Sequence, residues 1–415
     1  MEIQSWALSD VGRVRDHNED NLLVEPSLGL LVVADGMGGH AAGEVASQSA
    51  VTTLREFFLH TQPLLRKFAE KEEESDRRQI LATIEQAIQD ACAKIYDMGQ
   101  KDQKRRGMGT TTSLLLLVGR RGFIGHVGDS RIYLHRAGQV HQLTEDHSLI
   151  QELIKRGKLR KEDADKSPYR NAVTRAVGIY ASVEVDTLDF DILPGDTFML
   201  CSDGLSGYLK DEEIGLFLGE KAGERIPKAL IDTANNRGGK DNITAIVVRV
   251  QAEQAQMASE RAAATSYQLR METIKRTRLF KFFTHNDLLR LSNVMHYRRY
   301  APNEILMREG DHGDELFLIL SGQVRLQRGE QVLSFHKNGE TFGEMALVTR
   351  DPRSATIIAH DEVEVLTLGR QEFFEILKSE SQLSARMLWQ FVQVLAERLK
   401  ITTDKLVAQH ELDVE

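Results

Sequence analysis

The chain has 415 residues, 41% hydrophobic and 28% charged, which is enough for two or three domains with ordinary cores. Its two cysteines, Cys92 and Cys201, lie far apart, excluding a disulfide framework or a Cys-rich zinc site and fitting a reducing cytoplasm. The net charge of −9 argues against nucleic acid as the main partner, and the absence of a signal segment or a bilayer-length apolar run argues against a membrane.

In chain order, the apolar runs 28–34, 113–118, 197–201 and 243–250 predict buried strands. Runs 122–127 and 132–135 read as a strand pair around a turn, and 42–60 and 76–100 as amphipathic helices. Helices on antiparallel strands give an α+β layered domain over residues 1–250. The charged stretch 148–171 reads as an irregular, mobile subdomain. Neither Gly nor Pro occurs from Lys240 to Ala301, and residues 251–278 are rich in helix formers. That segment is either a helical connector or a disordered linker.

Beyond it, Thr284 and Asp287 fit a capping box opening a helix to about Met295. Short strands follow at 305–309, 315–321, 323–328, 332–336, 355–359 and 363–368, separated by glycines. They predict a β-roll or jelly roll, closed by helices at 370–378 and 383–409. The last helix carries Leu388, Phe391, Leu395, Leu399, Thr402 and Leu406, either a coiled-coil dimer seam or a face packed on its own roll. Only a short tail, 410–415, remains after it, too little for a DNA-binding module.

Acidic residues recur at strand ends. Glu19 and Asp20 lie in RDHNED, Asp35 in VVADGMGGH, Asp129 in HVGDSR, Asp203 in MLCSDGL and Asp241 in GGKDN. Any one of these is most simply a turn residue. As a set on a shared sheet they would aim carboxylates at one spot, which is costly unless a cation neutralises them. Mg²⁺ and Mn²⁺ take such oxygen ligands, and a pair of them can activate water and clamp a phosphoryl group.

The ordered set VGRVRDHNED, VVADGMGGH, GMGTTTSLLL, HVGDSRIYL, LTEDHSL, VTRAVG, LCSDGL and KDNITAIVV resembles the bacterial PPM (type-2C) metal-dependent Ser/Thr protein phosphatases. The resemblance covers residues 1 to about 250 and implies a β-sandwich flanked by helices. It also implies hydrolysis of phosphoserine and phosphothreonine by a water activated on two Mn²⁺ or Mg²⁺ ions. By that resemblance Asp35 bridges the metals, Asp203 and Asp241 complete the first site, and Glu19 with the Gly36 carbonyl completes the second. Asp129 and Asp203 match a third, weaker site, for which Asp146 is a further candidate. Arg15 matches the arginine that grips the substrate phosphate, and Asp20 a supporting residue. Residues 148–171 fall where bacterial members carry a flap. Animal members have a histidine where this chain has Met37. His40 is then either a general acid or a helix-start residue, while His126 and His147 read as structural. The implied substrates are phosphoproteins made by Ser/Thr kinases.

In FGEMALVTRDPRSAT, a helix starting near Gly343 would offer N–H groups to an anion, Arg353 could pair with a phosphate, and Glu344 could accept from a ribose hydroxyl. The plainer alternative is a turn with a surface Arg–Glu pair. The segment 279–409 resembles cyclic-nucleotide-binding domains. The resemblance implies that Arg353 binds the cyclic phosphate, Glu344 the ribose, and Gly343 and Ser354 lie in contact, with cAMP favoured over cGMP.

Overall fold

The structure, a computed structural model, describes residues 2–38, 42–169, 172–251, 257–379 and 381–414. The chain divides into two compact units, Met1–Arg261 and Ala262–Glu415.

The first unit runs β1 (Glu2–Asp10), β2 (Asp20–Glu25), β3 (Leu30–Met37), α1 (Ala42–His60), α2 (Gln62–Glu70), α3 (Glu74–Lys101), β4 (Gly109–Thr110), β5 (Thr112–Val118), β6 (Arg121–Val127), β7 (Arg131–Arg136) and β8 (Gln139–Gln142). It continues through α4 (Leu149–Lys155), β9 (Asp186–Asp191), β10 (Thr197–Cys201), α5 (Asp203–Ser206), α6 (Asp211–Leu218), α7 (Ile226–Asn236) and β11 (Ile243–Gln251). Two antiparallel sheets form, one in the order β1-β11-β10-β7-β8 and the other β2-β3-β5-β6-β9, with β4 joined to β3.

Each sheet is covered on its outer face by helices, which is why the strands read as unbroken apolar runs. Along β3, Leu30, Val32 and Ala34 join a core with Ala46, Ala50, Leu54 and Phe58 of α1 and Ile84, Ile88, Ala91 and Ile95 of α3. Those helical positions recur every three or four residues, the spacing of one buried helix face. Leu31 and Val33 are buried on the opposite face, as period-two alternation requires. On the other sheet Met199, Cys201, Ala245 and Val247 pack with Leu205, Ile214, Leu218, Leu230 and Ile231. The result is an α-β-β-α sandwich.

Runs 122–127 and 132–135 are strands, but they do not pair. β6 lies between β5 and β9, whereas β7 lies between β10 and β8. The chain crosses from one sheet to the other at Gly128, where φ is +114° and a Cβ would come within 2.6 Å of Thr111 Cβ. A turn glycine signals a bend; it does not say in which sheet the next strand lies. The stretch 148–171 is also more regular than its composition suggests: the Ser148 hydroxyl caps α4 by accepting from Gln151 N–H, and Lys161–Lys166 forms a 3-10 turn.

In the second unit α8 (Met257–Arg276), whose N-terminus lies before the division, and α9 (His285–Val294) lead into β12 (His296–Tyr300), β13 (Ile305–Met307), β14 (Glu315–Ser321), β15 (Gln323–Arg328), β16 (Gln331–Lys337) and β17 (Thr341–Phe342). Then come α10 (Met345–Val348), β18 (Thr356–Ala359), β19 (Val363–Gly369), α11 (Arg370–Ser379) and α12 (Ser381–Val414). The capping box is present: Thr284 Oγ1 accepts from Asp287 N–H and Asp287 Oδ2 accepts from Thr284 N–H. Two four-stranded antiparallel sheets, β12-β19-β14-β17 and β13-β18-β15-β16, make the roll. Phe317, Ile319, Val324, Ile357 and Val365 fill its interior. Leu316, Leu318 and Leu320 face Phe280, Leu291, Phe373, Met387 and Phe391 of the helices. β12 carried no alternation in MHYRRY and was not visible as a strand in the sequence.

Candidate functional site

The strand ends bring the acidic residues together at one edge of the sandwich. Asp20 opens β2 and is register partner to Asp35 on β3. Asp203 follows β10 and Asp241 precedes β11, which are adjacent strands. Asp129 follows β6 at the crossover. The backbone of Asp35 is pinned on both sides: its N–H donates to Thr111 Oγ1 at 2.9 Å, and its carbonyl accepts from Thr111 N–H at 2.8 Å and Thr110 Oγ1 at 2.9 Å. Gly36 N–H donates to the Glu19 carbonyl at 3.1 Å, which fastens the end of β3 to the loop before β2. Arg15 Nη2 donates to Asp241 Oδ2 at 2.9 Å and stays about half exposed, so its fork faces solvent at the site's mouth.

Crowding sets the electrostatics. Burial first, then Asp20, Asp203, Asp129 and Asp241, hold the Asp35 carboxyl well above the usual range. Burial and repulsion from Asp203 push Asp129 up to about 7. Asp203 is raised by burial and by Asp241, and it is hydrogen-bonded to Asp35. Glu19 is raised by burial, an effect opposed by Arg15. Asp20 is pushed up to about 7 by burial although it accepts from Ser202 Oγ and Thr244 Oγ1, both at 2.7 Å; its Oδ1 has no protein partner. Among the described residues no three His, Cys, Asp or Glu side chains converge tightly enough to hold an ion unaided. A Mg²⁺ site needs no such convergence, because that ion is held by one or two carboxylates and keeps several waters. The mutual repulsion of the six carboxyl groups Glu19, Asp20, Asp35, Asp129, Asp203 and Asp241 is the stronger indicator, and it fits hard divalent cations.

Other expected residues fall elsewhere. Asp146 is engaged by Arg131 through Nε at 2.9 Å and Nη2 at 2.7 Å, and by Gln142 at 3.1 Å. His126 is buried, lowered to about 4 by burial, and hydrogen-bonded to Ser113 Oγ and the Glu145 carbonyl. His147 Nδ1 accepts from Gly128 N–H, and its Nε2 lies 3.2 Å from Asp186. Both act as structural posts. His40 lies outside the described residues.

Two positioning residues escaped the sequence reading. Asn242 Oδ1 accepts from Glu19 N–H at 2.8 Å while its Nδ2 donates to the carbonyls of Val11 and His17 at 2.9 and 2.8 Å. One amide thus clamps the loop that carries Arg15 and Glu19. Gly43 donates its N–H to the Glu19 carboxylate, and a Cβ there would come within 2.8 Å of both that carboxylate and Gly36 C. The only sequence signal for either was its place next to a motif acid or glycine.

In the second unit, Gly343 (φ +76°) turns the chain out of β17, and Glu344 and Arg353 are both buried. Arg353 Nη1 donates to the Gly343 carbonyl at 3.2 Å and Nη2 to the Glu315 carbonyl at 2.9 Å, with the guanidinium 5.9 Å from the Phe317 ring centre. Burial opposes its charge, offset by Glu315, Asp314 and Glu344. Gly313 approaches so closely that a Cβ would fall 2.3 Å from Arg353 Nε. Ser354 is exposed. A buried Arg and Glu around a short helical turn, α10, make this more than a surface ion pair.

The family model "Protein phosphatase 2C" matches residues 13–277, and "Cyclic nucleotide-binding domain" matches residues 297–380. Serine/threonine phosphatase stp of Listeria monocytogenes serotype 4b is 38% identical over 244 residues, 58% of this chain and 93% of that protein. The serine/threonine phosphatase PstP/Ppp of Mycobacterium tuberculosis superposes with TM-score 0.54 at 34% identity, over 60% of this chain and 99% of that one. The catalytic domain of PstP in complex with two manganese ions superposes at 0.52, also at 34% identity, over 60% and 99%. The sandwich, its acidic edge and these matches together place the chain in the 2C-type Ser/Thr protein phosphatases, with a cyclic-nucleotide-binding domain following the phosphatase domain.

Proposed function

We propose that residues 1–250 are a metal-dependent phosphatase of phosphoserine and phosphothreonine proteins, controlled through a nucleotide site in residues 279–409, with 251–278 as the connector. The observation that carries the reading is the convergence of Asp35, Asp203, Asp241, Glu19 and Asp129 beside Arg15. Asp35 would be the shared ligand; Asp203 and Asp241 would hold one ion, Glu19 and the Gly36 carbonyl a second, and Asp129 with Asp203 a third. Mn²⁺ or Mg²⁺ bound there supplies an activated water and neutralises phosphoryl charge. Arg15 orients the phosphate through its fork, and its link to Asp241 fixes where that fork stands. Asp20 and Asn242 hold the surrounding loops. Met37 offers no proton, so no side chain at that position protonates the leaving group.

Arg353 receives the cyclic phosphate, Glu344 the ribose hydroxyl, and Gly343 and Ser354 line the contact. Ser354 favours cAMP over cGMP through the resemblance given above. Coupling between the sites is on the order of 1–3 kcal/mol, roughly 5–150-fold in affinity. α12 packs Leu383, Met387, Phe391 and Val394 on its own unit but leaves Leu388, Val392, Leu395 and Leu399 exposed. Their four-three-four spacing is a heptad seam, which supports a homodimer through this helix. Among the described residues no helix is long and apolar enough to cross a membrane, and we place the protein in the cytoplasm.

The test is hydrolysis of a phosphothreonine peptide with Mn²⁺, with and without cAMP or cGMP. Metal-dependent turnover that changes with one nucleotide supports the reading. Turnover indifferent to both removes the regulatory half, and turnover unaffected by chelation removes the metal site.

A further inference from the structure

Several cations of the first unit are held in ion pairs. Arg15 is paired with Asp241, Lys101 with Asp97, and Arg105 with Asp102. Lys104 and Arg106 are different. Both are exposed, and neither side chain has a partner among the described residues.

Their loop is built rather than slack. Asp102 Oδ1 accepts from Lys104 N–H at 3.0 Å, Arg105 N–H donates to the Asp102 carbonyl at 2.9 Å, and Met108 N–H to the Arg105 carbonyl at 3.0 Å. The loop closes against the end of α3, where a Cβ on Gly99 would lie 3.1 Å from the Arg105 carbonyl. Gly107, at φ +79° with open space around it, then turns the chain into β4. β4 pairs directly with the active edge: Gly109 faces Met37 and Thr110 faces Gly36, next to Asp35. Two residues, Gly107 and Met108, separate Arg106 from Gly109, a reach of at most ~11 Å; Lys104 is at most ~18 Å away, and Met37 lies about 7 Å along β3 from Asp35. Arg106 therefore stands within the span of about five extended residues, and Lys104 within about seven, of the point where a phosphoryl group meets Asp35 and Arg15. Arg13 and Lys240, on two loops joined by Arg13 N–H donating to the Gly239 carbonyl at 2.7 Å, also have exposed side chains without a partner among the described residues.

We infer that the Lys104–Arg106 loop is a docking rim for the substrate chain, selecting phosphoprotein segments with acidic or second phosphorylated residues within about seven positions of the scissile phosphate. In a chain of net charge −9 such a rim counters the general repulsion of an acidic substrate at the one place where it has to approach. The inference rests on the phosphatase reading above.

The test uses the 415-residue chain with Mn²⁺, the double variant K104E/R106E, and three substrates: p-nitrophenyl phosphate, a phosphothreonine peptide with Glu at the third to about the seventh flanking positions, and the same peptide with Ala there. Wild type is expected to prefer the Glu peptide by roughly 5-fold in kcat/KM. The variant loses that preference and leaves p-nitrophenyl phosphate turnover unchanged. The preference shrinks by 0.5 M salt, as exposed charge contacts must. Equal use of both peptides by wild type, or an equal loss on both in the variant, overturns the rim. Failure of wild type on p-nitrophenyl phosphate overturns instead the phosphatase reading; fluorescence anisotropy of the labelled peptides then still decides whether the rim ranks Glu above Ala.

Discussion

The two sites solve the problem of a buried charge in opposite ways. At the active edge, like charges are gathered with too few protein cations to balance them, so the carboxyls of Asp35, Asp129 and Asp203 are held above their usual range. At the nucleotide site a single cation, Arg353, is already supplied with two backbone carbonyls and an aromatic face. On the proposed reading, a divalent cation would relieve the electrostatic strain of the first arrangement. In the second, the guanidinium is already partly satisfied, and an incoming phosphate would compete with the Gly343 and Glu315 carbonyls for its donors. Binding at the first site would then gain from released repulsion, and binding at the second would be the more nearly balanced exchange.

The sharpest way to break this contrast is at Asp35. Asp35→Asn should lower phosphopeptide hydrolysis by more than about 10³-fold, while circular dichroism and thermal melting show a folded protein, since one source of repulsion is removed. Near-full metal-dependent activity in this variant would end the assignment. Next in size is Arg353→Ala, which should weaken cyclic-nucleotide binding by roughly 30-fold or more in calorimetry and leave hydrolysis without nucleotide unchanged. An intact affinity would mean that the guanidinium's carbonyl bonds are its whole role.

Asn242→Ala probes positioning rather than charge. It leaves Glu19 N–H and the Val11 and His17 carbonyls without their partner, so kcat/KM should fall roughly 10-fold and stability by about 1–3 kcal/mol. The less drastic Asn242→Asp keeps one acceptor and should keep the Glu19 contact, which a purely steric role would not distinguish.

The smallest effect reads the strain itself. Asp20 and Asp129 sit at about 7 in the folded protein, against about 3.9 unfolded. The folded state thus binds their protons more tightly. Their stabilising contribution is complete below about pH 4 and is lost as pH rises through about 7. In chelator the protein should melt lower at pH 8 than at pH 5.5, and Mn²⁺ should restore more at pH 8. Asp129→Asn should raise the melting temperature in chelator at pH 8 by roughly 4–8 °C, on the order of 2 kcal/mol. No change on that substitution would show that Asp129 is relaxed by solvent and carries no strain.

Much of the molecule was legible without coordinates. The strand at 197–201, the helix at 42–60 and the strands at 315–321 and 323–328 have in the fold the bounds that hydrophobic pattern and glycine punctuation assign. The apolar run followed by Asp marked out Asp35, Asp129 and Asp203, while Glu19 and Asp241 stand just before their strands, because an acid at a strand end is a local feature. What lay beyond local reading was which sheet each strand joins. The turn after β6 looked like a hairpin, yet Gly128 sends the chain across the sandwich, and that crossover carries Asp129 to its neighbours.

Local chemistry of the chain thus determined which residue types stand at strand ends and where helices begin, since capping, alternation and periodicity act over a few residues. Only the tertiary structure decided that Asp20 lies opposite Asp35, that Asn242 holds a loop more than two hundred residues away in sequence, and that Arg353 rests on backbone carbonyls. Those are contacts between distant segments. Their energies depend on burial and shared geometry, which no short window of sequence contains.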